Sequence, residues 1–141
     1  MSAETNKAII RRVFNEMVNN GNLGIADELI GPGYVNHGIP VPATGPEALK
    51  MAVTLFRTAF PDINLMLEEV VAEGDKVATR GYFTGTHQGD FNGIPATGKP
   101  IKTTYIDVWR LENGKAAENW VQMDMLGILQ QLGVVPAPQA G

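Results

Sequence analysis

From Ile101 to Met123 the sequence reads IKTTYIDVWRLENGKAAENWVQM, and this stretch determines the architecture that we predict. Apolar and polar residues alternate over 101–110 and again over 116–123, which is the period of a β-strand and not of a helix. Between the two runs, the segment ENG at 112–114 contains the Asn-Gly pair that favours a tight β-turn. The stretch therefore predicts two antiparallel strands joined as a hairpin.

The turn permits two strand registers, which differ in the side chains that face the core. A two-residue turn sets Asp107 opposite Trp120, whereas a three-residue turn with a bulge sets Asp107 opposite Asn119. A shift of one residue moves every side chain of the last strand to the other face. We favour the three-residue turn, because it gathers few polar groups on an otherwise apolar inner face. That predicted inner face consists of Ile101, Thr103, Tyr105, Asp107, Ala117, Asn119 and Val121.

The opposite, outer face of the hairpin is also partly apolar. It would carry Ile106, Val108 and Trp120 among charged and polar residues. Contiguous apolar surface of this kind commonly marks a protein–protein interface. We therefore predict a homodimer that forms through the outer face of the sheet.

Outward from the hairpin, the chain shows three helical patterns on the N-terminal side and one on the C-terminal side. Apolar residues recur at three- and four-residue spacing in these segments, and the period changes to two from Ile63 onward. The predicted elements are helices over 3–19, 23–30 and 46–60, an extended piece over 34–37, strands over 63–71 and 76–85, a Gly- and Pro-rich loop over 87–100, and a helix over 125–132. Because strands and helices do not alternate, we predict an α+β fold in which a strongly curved antiparallel sheet packs against three N-terminal helices, with a short C-terminal helix.

Composition restricts the functions that the chain can have. The net charge is −4 and the eleven basic residues are scattered, which disfavours nucleic-acid binding. No cysteine is present, so disulfides and thiolate chemistry are excluded. No run approaches the ~18 apolar residues of a membrane span, and the N-terminus lacks the apolar stretch of a signal peptide. We expect a soluble, cytoplasmic single domain over 1–133, followed by a Pro- and Ala-rich tail over 134–141.

Asp107 is the first candidate for catalysis. A carboxyl group between Tyr105 and Trp109 on a buried face should have a raised pKa, and a raised pKa suits a general base near neutral pH. A salt bridge to Arg80 or Arg110 is the structural alternative for the same carboxyl group. The sequence leaves both roles open.

The other polar candidates also have structural alternatives. Asp124 precedes the last helix, where capping the helix is its first role and catalysis is the second. His37 and Tyr34 lie in a segment expected to border a cavity, whereas His87 is expected to stabilise the turn that starts the Gly-rich loop. Arg80 is expected to pair with a carboxylate or to hold an oxyanion. Two histidines without carboxylates at ligand spacing make a poor metal site, so we predict no metal.

Five segments resemble the SnoaL-like polyketide cyclases, within the wider nuclear-transport-factor-2-like and ketosteroid-isomerase-like fold. They are AFPDI (59–63), AEGDKVATR (72–80), GTHQGDFNGIPATGK (85–99), DVWRLENGK (107–115) and ENWVQMDMLGILQQLG (118–133). Their order and spacing match the family over nearly the whole chain. The resemblance implies a cone-shaped α+β fold that is usually dimeric and uses no metal or organic cofactor.

The resemblance also implies a chemistry. The best-known members close a ring by an intramolecular aldol condensation on a polyketide ester, using an Asp on the last strand, two residues past a His, and a His on the preceding strand. These positions correspond here to Val121, Asn119 and Asp107, and Asp124 matches a frequent Asp of the family. The implied function is a polyketide or ester cyclase that moves protons on a small apolar carbonyl compound, with Asp107 and Asp124 as the catalytic candidates.

Two other functions on the same fold stay open, because a fold does not determine a function. A non-catalytic small-molecule-binding domain is favoured by Val121, which cannot transfer a proton. An isomerase or epoxide-hydrolase-like enzyme is the other alternative. In each case the side chains expected to line the substrate pocket are Tyr34, His37, Phe56, Arg80, Tyr105, Asn119 and Val121.

Overall fold

A computed structural model describes residues 2–136 of the chain. The helix α1 spans Ala3–Arg12 and begins at Ser2, whose hydroxyl accepts a hydrogen bond from the backbone N–H of Thr5. The helix continues in π-helical form over Val13–Asn19. The predicted helix over 3–19 is therefore confirmed, and its second half is a π-helix instead of an α-helix. Most of the predicted tail, residues 137–141, lies outside the described residues.

The remaining elements follow the predicted order. Pro46 occupies the first turn of α3, where its missing N–H costs no hydrogen bond. The predicted second helix is reduced to a 3₁₀ turn and one α-helical turn, because Ile30 already adopts the extended conformation of the next strand. The elements are a 3₁₀ turn at Leu23–Ile25, α2 Ala26–Leu29, β1 Ile30–Asn36, α3 Pro46–Ala59, β2 Asn64–Glu73, β3 Lys76–Thr86, β4 Pro100–Glu112, β5 Lys115–Met123 and α4 Met125–Gln131.

The five strands form one sheet in the order β1-β5-β4-β3-β2. Strands β2 to β5 form an antiparallel meander, as predicted. The edge strand β1 is parallel to β5, so the sheet is mixed and not wholly antiparallel. The difference arises because β1 joins β5 through most of the chain, and no hairpin dictates its direction. The α+β fold itself is confirmed.

The hairpin between β4 and β5 corrects the predicted turn. Glu112 pairs with Lys115 across a two-residue turn. Asn113 and Gly114 both have positive φ, at 52° and 76°, as a type I′ turn requires. The predicted three-residue turn is therefore wrong, because the Asn-Gly pair satisfies the tighter turn by itself.

A β-bulge nevertheless restores the predicted assignment of faces. The register shifts beside Leu111, which leaves Ala117 as the extra residue in β5. Beyond the bulge Asp107 pairs with Val121, two positions further along the strand than the predicted partner Asn119. Because the side-chain period of a strand is two, a displacement by two keeps the faces unchanged. Asp107, Asn119 and Val121 therefore share the inner face, as predicted.

Further register shifts bend the sheet in β1 and β2. At the shift in β2, the backbone of this strand lies very close to β3. A Cβ atom at Gly81 would lie 1.9 Å from the carbonyl oxygen of Met66, so only glycine fits there. The bent sheet leaves a concave inner face, against which the helices pack.

Two clusters of buried side chains fill the space between helices and sheet. The first centres on Trp109, whose ring lies 5.8 Å from that of Phe14 and 6.2 Å from that of Tyr34. The second contains Phe60 and Phe91, with ring centroids 5.5 Å apart. Phe91 belongs to the Gly-rich loop and packs inward. The two clusters leave room for a pocket between them.

The outer face of the sheet carries apolar side chains, which is the pattern that the hairpin predicted. Ile106 is 61% exposed and Trp120 is 39% exposed. Val71 and Met66 of β2 are also exposed. The homodimer through this face stays a prediction. No helix within residues 2–136 combines the length and the hydropathy needed to cross a bilayer.

Candidate functional site

A pocket lies between the inner face of the sheet, the π-helical segment that continues α1, and α3. Its cavity volume is about 90 Å³, and it shares the concave, largely apolar character of small-molecule sites. Most of its wall is hydrocarbon, contributed by side chains such as Val13, Val53 and Leu65. The lining residues with polar side-chain atoms are Asn36, Arg57, Tyr105, Asp107, Trp109 and Asn119. Asp107 is the only carboxylate among the lining residues.

Two hydrogen bonds hold the Asp107 carboxylate in the pocket wall. The hydroxyl of Thr79 donates to Oδ1 at 2.5 Å, and the indole N–H of Trp109 donates to Oδ2 at 2.9 Å. Thr79 stands directly opposite Asp107 in the ladder between β3 and β4. Neither Arg80 nor Arg110 pairs with Asp107, since both arginines bind glutamates. The structural alternative of a salt bridge is therefore wrong.

Burial changes the acidity of Asp107. The side chain is 3% exposed, and removal from water disfavours the charged form. This desolvation raises the pKa of Asp107 to about 6, although the hydrogen bonds from Thr79 and Trp109 act in the opposite direction. A carboxyl group that titrates near neutral pH can both accept a proton and return it. The predicted rise in the pKa of Asp107 is thus present in the structure.

Four of the side chains predicted to line the pocket are in its wall. They are Phe56, Tyr105, Asn119 and Val121. Burial raises the pKa of the Tyr105 hydroxyl well above its usual range, so this group stays protonated. The Asn119 side chain donates to the carbonyl of Val108 at 3.1 Å and lies 3.4 Å from the amide nitrogen of Asn36. The structure therefore brings this part of the predicted set together.

Three others lie apart from the pocket. Tyr34 is fully buried and stacks behind Trp109, so the indole separates it from the cavity. His37 stacks on Trp120 and lies 2.8 Å from a Glu118 carboxylate oxygen, on the outer face. The prediction for His37 rests on the expectation that its segment borders the cavity. The residue does border a second cavity, which shares Phe56 and Val121 with the pocket around Asp107, but it does not line that pocket itself.

Arg80 also lies on the outer face, away from the pocket. Its guanidinium donates to a Glu69 carboxylate oxygen at 2.9 Å, and Glu68 lies 3.7 Å away. The ion pair predicted for Arg80 is confirmed, although the partner is not Asp107. Arg80 points outward because successive side chains of a strand alternate between its faces, and the preceding residue, Thr79, points inward.

Asp124 caps α4, which is the first of its two predicted roles. Its carboxylate accepts a hydrogen bond from the backbone N–H of Gly127 at 2.9 Å. It is not among the residues that line the pocket around Asp107. The cap position therefore explains this residue without a catalytic role.

Replacing Asp124 with Ala should lower the free energy of unfolding by about 1 kcal/mol, because the first turn of α4 loses its side-chain acceptor. Urea denaturation followed by circular dichroism measures this change. Asp124→Asn is the matched control, since asparagine caps equally well, and it should unfold like the unmodified chain. A loss of stability as large in the asparagine variant would contradict the capping role.

His87 is fully buried at the start of the Gly-rich loop. Its Nδ1 accepts a hydrogen bond from the backbone N–H of Thr97 at 3.2 Å. The loop backbone also returns to His87, since Gly98 donates to the His87 carbonyl at 2.8 Å. The predicted role of His87 in stabilising this turn is confirmed.

Sequence reasoning placed Trp109 beside Asp107 on a buried face but did not predict their hydrogen bond, and it assigned no role in the site to Thr79 or Asn36. Thr79 and Trp109 donate to Asp107, and Asn36 at the end of β1 lines the pocket beside Asn119. The hydrogen bond from Trp109 could have been predicted, because residues two apart in a strand share a face. Thr79 and Asn36 carry no such signal, since their positions depend on pairing between distant segments.

The carboxyl group of this site stands on a different strand from the one that the family resemblance implies, but it lies in nearly the same part of the pocket. Asp107 is the direct cross-strand partner of Val121, the position that the resemblance matches to an acid/base Asp of the family. Side chains paired in this way have Cβ atoms about 5 Å apart. The carboxyl group at 107 therefore reaches nearly the same part of the pocket from the neighbouring strand.

Similarity to known proteins covers this whole arrangement. The family model for SnoaL-like polyketide cyclase matches residues 8–132. The aklanonic acid methyl ester cyclase DauD of Streptomyces sp. (strain C5) is 34% identical over 111 residues, which cover 77% of this chain and 67% of DauD. Among solved structures, TsrD from Streptomyces laurentii has a TM-score of 0.88 at 29% identity, covering 96% of this chain and 99% of TsrD.

Another similar structure belongs to a protein for which a different activity has been suggested, and one fold can carry several activities. AclR from Streptomyces galilaeus, for which a hydroxylase function has been suggested, has a TM-score of 0.84 at 27% identity, covering 99% of this chain and 87% of AclR. The family match nevertheless includes all the residues that line the pocket, from the first helix to the last strand. The chain belongs to the SnoaL-like polyketide cyclase family.

Proposed function

We propose that this protein is an ester cyclase that closes a ring by an intramolecular aldol reaction, with Asp107 as the general base. The observation that carries the proposal is a single carboxylate, buried in an otherwise apolar pocket wall, with its pKa raised to about 6. The name of the relative DauD suggests the substrate class, a polyketide methyl ester. The apolar wall favours a substrate of the same character, a small and largely hydrophobic carbonyl compound.

The reaction begins with removal of an acidic C–H proton. A carbon between a ketone and an ester carbonyl holds such a proton, and Asp107 accepts it as the enolate forms. The enolate carbon then attacks a second ketone of the same molecule, which becomes an alkoxide and needs a proton. A positioned general base contributes about 10²–10⁴-fold to a step of this kind. The pocket walls hold the two reacting carbons near each other and exclude water.

The proposal explains why the acid/base group of this pocket lies on β4 and not on β5. A valine at 121 removes the acid/base group from β5, and the aspartate at 107 supplies one from β4, directly opposite. The hydrogen bonds from Thr79 and Trp109 fix the carboxylate orientation. Such pre-organisation places the base without any cofactor.

The test is proton exchange in D₂O with aklanonic acid methyl ester as the probe. We expect the protein to catalyse deuterium incorporation at the carbon next to the ester carbonyl, seen by NMR. We also expect a cyclised isomer, separable by chromatography, because an aldol addition changes no atoms. Catalysed exchange would exclude a purely binding role.

A non-catalytic binding domain is the second candidate, and Val121 is the observation that favours it. With hydrocarbon at that position, only one carboxylate lines the pocket. This function predicts tight binding of the same ester, measured by calorimetry, with neither deuterium exchange nor ring closure. That combination of results would overturn the cyclase proposal.

A further inference from the structure

Two hydroxyl groups connect Asp107 to a second point on the pocket wall. Thr79 Oγ1 lies 2.5 Å from Asp107 Oδ1 and 3.2 Å from the Tyr105 hydroxyl oxygen. An ionised carboxylate only accepts hydrogen bonds, so Thr79 donates to Asp107. The threonine oxygen then accepts from Tyr105. While Asp107 is ionised, the three groups form a chain of hydrogen bonds that runs in one direction, from Tyr105 to Asp107.

Protonation of Asp107 allows this direction to reverse. A protonated carboxyl group can donate, and a hydroxyl can exchange its donor and acceptor roles by rotation. Thr79 can then accept from Asp107 and donate to Tyr105, whose own O–H becomes available to the pocket. The three side chains are 2%, 3% and 5% exposed for Thr79, Asp107 and Tyr105. Such burial keeps bulk water from replacing any member of the chain.

We infer that Asp107, Thr79 and Tyr105 form a proton relay, in which the proton taken by Asp107 is returned through Thr79 so that the Tyr105 hydroxyl acts as the acid of the reaction. The inference rests on the proposed function and assigns its second proton transfer. Tyr105 is the catalytic acid, because it would touch the reacting oxygen. Thr79 acts through the other two groups.

Protons and electrons balance over the relay. The substrate C–H bond breaks, its electron pair stays in the enolate, and Asp107 gains the proton. The enolate carbon forms the new C–C bond, and the ketone oxygen receives the carbonyl electron pair as an alkoxide. Tyr105 gives its proton to the alkoxide, Thr79 gives its proton to Tyr105, and Asp107 gives its proton to Thr79. One proton has moved from carbon to oxygen, and the three side chains are restored.

The surroundings favour Tyr105 as the donor. Among the described residues that line the pocket, it is the only one with a hydroxyl group. Trp109 donates to the second oxygen of Asp107 but has no lone pair with which to carry a proton onward. Burial is the main reason why the pKa of the Tyr105 hydroxyl is raised, and the negative charges of Asp107 and of Glu68 from β2 act in the same direction, so this hydroxyl keeps its proton. The nearest further ionisable group is Tyr34 from β1, whose pKa is also raised by burial and by Asp107.

The test compares two rates on the same ester, deuterium exchange in D₂O and ring closure. Tyr105→Phe removes the acid but leaves the bond between Thr79 and Asp107. We expect it to keep exchange within about threefold and to lower ring closure at least tenfold, within the range of general acid catalysis. Thr79→Val should lower the ratio of closure to exchange in the same way. Thr79→Ser keeps a hydroxyl and should restore the ratio.

The ratio of ring closure to deuterium exchange separates loss of the relay from effects of these substitutions on Asp107 or on folding, because such effects change both rates. Thr79→Val also removes a donor from Asp107, so its pH–rate profile should shift to higher pH, whereas that of Thr79→Ser should not. Thermal melts of all three variants establish that they fold. A Thr79→Val variant with an unchanged ratio of closure to exchange would overturn the relay and leave the cyclase proposal intact. Absence of both reactions in the unmodified protein would overturn the cyclase proposal instead.

Discussion

Replacing Asp107 with Asn is expected to lower ring closure of the polyketide ester by about 10²–10⁴-fold, because the reaction loses its only base. Asparagine retains the shape of the side chain and can accept from the Trp109 indole while donating to the Thr79 hydroxyl. That hydroxyl can turn toward Tyr105, 3.2 Å away, so the hydrogen bonds that join the three side chains are kept. The loss therefore reports proton transfer and not unfolding. Initial rates of product formation, measured by chromatography, provide the test.

Asp90→Asn is the matched control for this change. Asp90 lies in the Gly-rich loop, and its exposed side chain accepts a hydrogen bond from the Gly93 backbone N–H, which asparagine can also accept. The charge change is the same, but the site is remote from Asp107. We expect this variant to close the ring at the unmodified rate. Equal activity of the two variants would exclude Asp107 as the base.

The same Asp107→Asn variant should be more stable than the unmodified protein at neutral pH. The pKa of Asp107 is raised from 3.8 to about 6, so the folded state binds a proton more tightly than the unfolded state. Stability from this group is complete below about pH 4 and is lost as the pH rises to about 6. Above that pH the ionised, buried carboxylate costs about 3 kcal/mol, at 1.36 kcal/mol for each pKa unit. Asparagine does not titrate and avoids this cost.

Urea unfolding at pH 4.5 and pH 7.5 measures the effect. The variant should exceed the unmodified protein in unfolding free energy at the higher pH, and the difference should shrink at the lower pH. Asp90→Asn again serves as the control and should show no pH-dependent gain. A difference that stays constant between the two pH values would show that Asp107 does not titrate as the structure implies. Stability sacrificed for a buried functional charge is a common feature of active sites.

The inner face of the hairpin shows how sequence reasoning can succeed despite a wrong intermediate step. The predicted three-residue turn was wrong, yet Asp107 and Asn119 share the inner face because the bulge at Ala117 compensates for the shorter turn. Alternation of apolar residues reflects burial directly, whereas a turn type depends on details of backbone geometry. Patterns of burial in the sequence were therefore more informative than the turn motif.

Residues that depend on distant pairing could not be predicted in the same way. Thr79 meets Asp107 only through the register of β3 and β4, which a long loop connects. The expectation that His37 lines the pocket rests on the place of its segment in the fold, whereas its ring stacks on Trp120 on the outer face. The helix positions, by contrast, followed from local periodicity and from breakers such as Pro46 and Gly133.

The parallel pairing of β1 with β5 also determines when the pocket can exist during synthesis. Asn36 and Asn119 meet in its wall although 83 positions separate them along the chain. During synthesis Asn36 leaves the ribosome long before Asn119 has been made. The apolar side chains of the pocket wall therefore stay exposed in the nascent chain until β5 emerges. Contacts of such long range also slow folding. Chaperone dependence should consequently be greatest for chains truncated just before β5.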